Sequence, residues 1–219
     1  MWRTLSFLLL LTTTSTVLAQ PNIVFIFADD LGLGDVGAYG GELIDTPNID
    51  ALASKGMLFE QAYASHPVCS PSRAGLMSGR YQQRHGWEFN PAARIETSGM
   101  DAKQITLADM LNASGYTTSM VGKWHLGYLP QFHPLNRGFD EYFGVLAGGS
   151  IFIDQSRPDV ESVGNWPLVR DRSKGVYDGR ELIEVEEYLT DVFTDRAVDF
   201  IKQKHAAPFF LYLSHTTPH

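Results

Sequence analysis

The chain has a single cysteine, Cys69, in the run Pro67-Val68-Cys69-Ser70-Pro71-Ser72-Arg73-Ala74-Gly75-Leu76-Met77-Ser78-Gly79-Arg80. Pro71 suits the first turn of a helix and Gly79 its end, so residues 69–77 are expected to be helical, with Cys69 at the N-terminus. Free backbone N–H groups and the positive end of the helix dipole favour an anion there. Arg73, four residues on, falls on the same helix face and can hold both Cys69 and an anionic substrate. Without its surroundings, a lone cysteine reads as a small buried residue in a turn. Asp29 and Asp30 form a second candidate pair. They close the apolar run of residues 22–28 and precede the glycine-rich turn Leu31-Gly32-Leu33-Gly34-Asp35. Two carboxylates at the end of a strand buried on both faces stand where open α/β sheets place their ligands; their plainer role is to cap the turn. The third candidate is Gly122-Lys123-Trp124-His125-Leu126-Gly127. In an extended stretch Lys123 and His125 point to one side and Trp124 to the other, although Lys-x-His alone is also what a solvated strand edge looks like.

The elements that must position these residues alternate. Residues 22–28, 57–59, 117–121 and 209–213 read as strands. Helices are expected after Thr46, with Pro47 in the first turn, Ile49, Leu52 and Ala53 on one face and Gly56 as the stop. Two more should follow at residues 107–111 before Gly115, and at 189–201, where Leu189, Val192, Phe193, Ala197, Phe200 and Ile201 recur at helical spacing. Strands and helices in alternation imply an α/β domain with a mostly parallel central sheet flanked by helices. Residues 150–180, rich in Gly, Pro, Asp and Arg, read as a long irregular insertion that shapes a pocket. The last strand is expected to stop at Ser214, and the chain ends five residues later at His219, which suggests a domain cut before completion.

Of the 219 residues, 44% are hydrophobic and 19% charged, enough to build a core and unlike a disordered chain or a coiled coil. Lys plus Arg number 17 against 25 Asp plus Glu, and a net charge of −8 works against a nucleic-acid partner. Met1 and Arg3, the mostly apolar run from Leu5 to Leu11, and Val17-Leu18-Ala19 read as a secretory signal peptide over residues 1–19. The apolar stretch is too short for a stable membrane anchor. The expected location is therefore secreted or periplasmic.

Cys-x-Pro-Ser-Arg followed by Leu-x-Ser-Gly-Arg resembles the signature of the sulfatase family, of the alkaline-phosphatase-like superfamily, with Ser78 where that family has Thr. Gly-Lys-Trp-His-x-Gly at 122–127 and the Pro-His at the end of the 209–219 segment match further family segments, so the resemblance runs from Pro21 to His219. It implies an alkaline-phosphatase-like fold, with residues 20–219 forming the N-terminal part of a catalytic domain that lacks its smaller C-terminal subdomain. It also implies that a formylglycine-generating maturation enzyme oxidises Cys69, and that Asp29, Asp30 and the converted Cys69 bind a divalent metal, calcium ahead of magnesium. By the same resemblance Arg73 and Lys123 hold sulfate oxygens, His125 hydrogen-bonds the nucleophile, His219 protonates the leaving alcohol while His215 supports it, and Ser150 touches the sulfate. The Ser78 departure keeps the hydroxyl and should at worst weaken recognition by the maturation enzyme.

The implied reaction is hydrolysis of sulfate esters, on a sulfated small molecule or an extracellular sulfated glycan. A phosphonate or phosphate ester hydrolase of the same superfamily and a catalytically silent glycan-binding relative are the alternatives. The loop Tyr81-Gln82-Gln83-Arg84-His85-Gly86-Trp87 is open to two readings, contact with an anionic sugar or ordinary packing. Asn112-Ala113-Ser114 is a formal glycosylation acceptor that matters only in a eukaryotic source.

Overall fold

The computed structural model describes residues 20–91, 98–149, 152–154, 157 and 175–219. The expected leader, residues 1–19, and Ser150 lie outside them. Among the described residues six strands form one sheet: β1 (Ile23–Asp29), β2 (Thr117–Lys123), β3 (Glu141–Val145), β4 (Val176–Asp178), β5 (Glu181–Ile183) and β6 (Phe209–Pro218), in the order β1-β6-β2-β3-β4-β5. Neighbours from β1 to β3 are parallel, and β4 and β5 add an antiparallel margin. The helices are α1 (Pro47–Lys55), α2 (Cys69–Ser78), α3 (Leu107–Ala113) and α4 (Leu189–Lys202).

The two-residue repeat of the strands divides the core between the two faces of the sheet. Phe25 and Phe27 of β1, Met120 of β2, Tyr142 of β3, and Phe210 and Tyr212 of β6 join Ala74 and Met77 of α2 and Ala108 of α3 on one face. On the other, Val121, Phe143, Val145, Phe209, Leu211 and Leu213 meet Leu189, Phe193, Ala197 and Phe200 of α4. The apolar spacing expected in α4 is therefore the stripe that covers the sheet. Its four buried side chains at positions 189, 193, 197 and 200 fall one turn apart.

Four expectations change. β6 does not stop at Ser214 but runs to Pro218, because its backbone still pairs with β1 as far as Asp29. β1 is not buried on both faces: Val24 is 44% and Ile26 63% exposed. β1 is the margin of the sheet among the described residues, and α4 packs mainly over β6, β2 and β3. Residues 57–59 are not a strand, and Met57 and Phe59 lie open to solvent. A strand needs a ladder partner for its backbone groups, and no described strand runs beside this segment. The expected irregular stretch of residues 150–180 ends in order, because β4 and β5 form a tight hairpin through Gly179 and Arg180. Gly179 there takes a φ of +60°, as hairpin turns demand. α1 starts after Thr46 and stops at Gly56 as the sequence implies, but its Ile49 and Leu52 are exposed.

Candidate active site

The C-terminal ends of β1 and β2 flank the middle of β6 and carry Asp29 and Lys123 to the neighbourhood of Ser214. Gly122 lets the strands close there: its φ is +106°, and a Cβ on it would sit 1.9 Å from the carbonyl oxygen of Ser214. Asp29 is buried and takes both cations. Arg73 Nη2 lies 3.3 Å from its Oδ1, and the Lys123 ammonium hydrogen-bonds Oδ2. Arg73 Nη1 also donates to the Lys123 carbonyl oxygen at 2.9 Å and to Ser214 Oγ at 2.5 Å, and its guanidinium carbon stands 5.1 Å from the centre of the Phe27 ring. Arg73 Nε is buried without a hydrogen-bond partner among the described residues.

Asp30 and His219 form the open side of the cluster, with side chains 60% and 36% exposed. His219 Nδ1 lies 2.8 Å from Asp30 Oδ2, 3.6 Å from Asp29 Oδ2 and 3.9 Å from Cys69 Sγ. One ligand atom from each of Asp29, Asp30, Cys69 and His219 fits within 4.8 Å of the other three. That spacing suits a single metal ion. The two carboxylates are donors of the kind a hard divalent cation takes, and an oxygen in place of the sulfur at position 69 would extend the set. The sequence did not single out His219 as a neighbour of this metal position.

Burial pushes the Lys123 pKa down first, the charge of Arg73 adds to that, and Asp29 opposes both. His125 is lowered to about 2, chiefly by burial and then by Lys123, Arg73 and His219, so its imidazole is neutral throughout the ordinary pH range. Its neighbourhood with these cations does not come from the extended geometry expected. His125 has a φ of +60°, and the chain turns after β2 rather than continuing straight. Its N–H donates to the Leu146 carbonyl oxygen at 3.1 Å, and its ring lies against Gly148. A Cβ at 148 would come within 2.0–2.4 Å of three ring atoms. Gly148→Ala should therefore displace the ring and cost about 1–3 kcal/mol, seen as a melting temperature several degrees lower; an unchanged melt would mean the ring has room.

α2 begins at Cys69 and ends at Gly79 in the left-handed region, and it buries Arg73 but leaves Cys69 partly accessible. Ser78 donates to the Ala74 carbonyl oxygen at 2.6 Å and lies 3.3 Å from His85 Nε2, so its hydroxyl serves the end of the helix. In the following loop Trp87 Nε1 donates to Ser70 Oγ at 2.8 Å, which favours internal packing for this residue over contact with a sugar. His215, half-buried next to Ser214, stays outside the four-residue cluster, and burial lowers its pKa. Ser214, Gly148 and Asn90, which caps the first turn of α2 through Ser70, were not found as site residues from the sequence. Their signal is long-range contact, which no local pattern carries. Asn112 is spent on Asp140 Oδ1 at 2.8 Å.

The Sulfatase family model matches residues 21–219. The chain is 40% identical over 205 residues to N-acetylgalactosamine-6-sulfatase of Canis lupus familiaris, covering 88% of this chain and 38% of that protein. It is 37% identical over 212 residues to arylsulfatase G of Rattus norvegicus, covering 89% and 40%. The crystal structure of Ps i-CgsB superposes with a TM-score of 0.83 at 39% identity, covering 91% of this chain and 45% of that one. A structure in complex with its substrate D-glucosamine-2-N,6-O-disulfate gives 0.71 at 29% identity, covering 91% and 35%. The chain thus spans about two fifths of the length of the curated relatives it matches. The parallel sheet and its helices are those of the alkaline-phosphatase-like fold. With this match running through the strand ends and the helix that carry the cluster, the chain belongs to the Sulfatase family.

Proposed function

We propose that the protein hydrolyses sulfate esters at the cluster around Cys69, on a sulfated glycan outside the cytoplasm. The observation that carries this reading is the placement of Cys69 at the start of α2, 3.9 Å from His219 and against the Asp29 carboxylate that holds Arg73 and Lys123. Converted to formylglycine, residue 69 would supply a hydrate oxygen as nucleophile; Asp29, Asp30 and residue 69 would hold a divalent cation, calcium by preference, whose charge would offset that of the sulfate. Arg73 and Lys123 are fixed before substrate arrives, so they stabilise charge on the sulfuryl oxygens with little reorganisation. His219, at the accessible side, gives its proton to the departing alcohol oxygen. His125, uncharged and buried, is suited to hydrogen-bond the side chain of residue 69. Ser150 would touch the sulfate.

A glycan substrate is supported by the relatives: one is an N-acetylgalactosamine-6-sulfatase, and one solved neighbour is described with D-glucosamine-2-N,6-O-disulfate as its substrate. A leader over residues 1–19 and a maturation enzyme acting on Cys69 belong to the same proposal, with residues 20–219 as the N-terminal part of the catalytic domain. Among the described residues no helix is long and apolar enough to cross a membrane. The test is peptide mass spectrometry of the protein from its native host, followed by turnover of aryl sulfate, phosphate and phosphonate esters. A loss of about 18 Da at residue 69, the thiol-to-aldehyde change, with preference for sulfate is expected. An unmodified thiol, or preference for a phosphorus ester, would overturn it.

A further inference from the structure

We propose that Ser70 is a positioning residue that locks the nucleophile-bearing turn to His125, with Trp87 and Asn90 as its outer anchors. Ser70 is fully buried at the second position of α2. Its hydroxyl donates to the His125 carbonyl oxygen at 2.5 Å and accepts the Trp87 indole N–H at 2.8 Å. Its backbone N–H, one of those a helix leaves free at its start, donates to Asn90 Oδ1 at 2.9 Å. Val68, the residue before the helix, offers no side-chain cap. The start of α2, and with it Cys69, is therefore held by the loop that follows the helix.

The link matters most at His125. A non-glycine residue at positive φ is strained and persists only where its surroundings over-determine it. Here the N–H is held by Leu146, the carbonyl oxygen by Ser70 and the ring by Gly148. Of these three, only the Ser70 contact also reaches the residue next to the nucleophile. Removing the hydroxyl frees the His125 peptide and the first turn of α2 together. The part-buried indole N–H also loses its acceptor. In a reaction whose groups must be aligned, misplacement of about 1 Å lowers turnover about 100-fold.

The kinetic part of the test rests on the sulfate-ester reading; the exchange part does not. Ser70→Ala, Ser70→Thr and Trp87→Phe are made in the full protein, and rates are normalised to the formylglycine content at residue 69. Ser70→Ala should lower kcat about 10–100-fold with KM changed less than about threefold. Ser70→Thr should restore most of kcat, and Trp87→Phe, which removes the indole N–H together with its five-membered ring, should fall between. Amide exchange in Ser70→Ala should quicken at residues 70–73 and 124–126 together and stay unchanged in β6. A normalised kcat equal to that of the unsubstituted protein, or loss in the Thr variant as large as in Ala, overturns the proposal. If the unsubstituted protein cleaves no sulfate ester, the proposed function fails and exchange alone decides. Paired quickening at both segments then upholds the Ser70 link, and unaltered exchange at 124–126 rejects it.

Discussion

If the proposed function holds, Cys69→Ala should abolish sulfate-ester turnover, with kcat falling by about four orders of magnitude or more, the scale on which removal of an enzyme's nucleophile acts. The side chain is partly accessible, and its hydrogen-bonding neighbour among the described residues is His219. Its loss should therefore leave the fold intact, with a melting temperature within a few degrees of the unsubstituted protein. Initial rates on an aryl sulfate, measured beside a thermal melt, separate lost chemistry from lost structure. Activity that survives the substitution would place the nucleophile elsewhere and remove the reason for a formylglycine at this position.

Asp29→Ala should have the largest effect on stability. Arg73 and Lys123 are fully enclosed and Asp29 is the carboxylate paired with both. Removing it leaves two buried cations without their counter-charge, and breaking a buried pair in this way costs about 3–5 kcal/mol. Lys123, whose pKa burial already lowers, would shed its proton and cap the loss; Arg73 has no such escape. For a chain of this size the melting temperature should drop by about 6–20 °C. The melt is run with a chelator, so that a lost metal ligand contributes nothing. Lys123→Met, which leaves the Asp29–Arg73 pair in place, should cost less. Equal melting of Asp29→Ala and the unsubstituted protein would show that the cations are not held by this carboxylate.

Much of this arrangement was legible where the physics is local. Pro71 and Gly79 bracket α2, and the spacing from Leu189 to Phe200 marks the covered face of α4. The Asp29-Asp30 pair at the end of an apolar run pointed to the right edge of the sheet. What the sequence could not supply depends on neighbours distant along the chain. An apolar strand reads the same whether a helix covers its second face or not, so the open side of β1 escaped. Met57 and Phe59 have strand character but no described ladder partner. The turn at His125 was hidden because its support comes from Ser70, Leu146 and Gly148, none adjacent to it in sequence. The hairpin of β4 and β5 is three residues a side, too short for a period to show.

The alignment of Asp29, Ser214 and Lys123 on adjacent parallel strands has a consequence for how such a protein can change over time. Strand register is set by the core, and a slip of β6 by one residue would turn Ser214 away from Arg73. Substitutions beneath the cluster are thereby constrained by packing and chemistry at once, and few should survive. The segments that leave the strand ends carry no such double duty. New recognition can accumulate there while the reacting groups stay where the sheet puts them, so a lineage built on this scaffold diversifies in what it accepts before it diversifies in what it does.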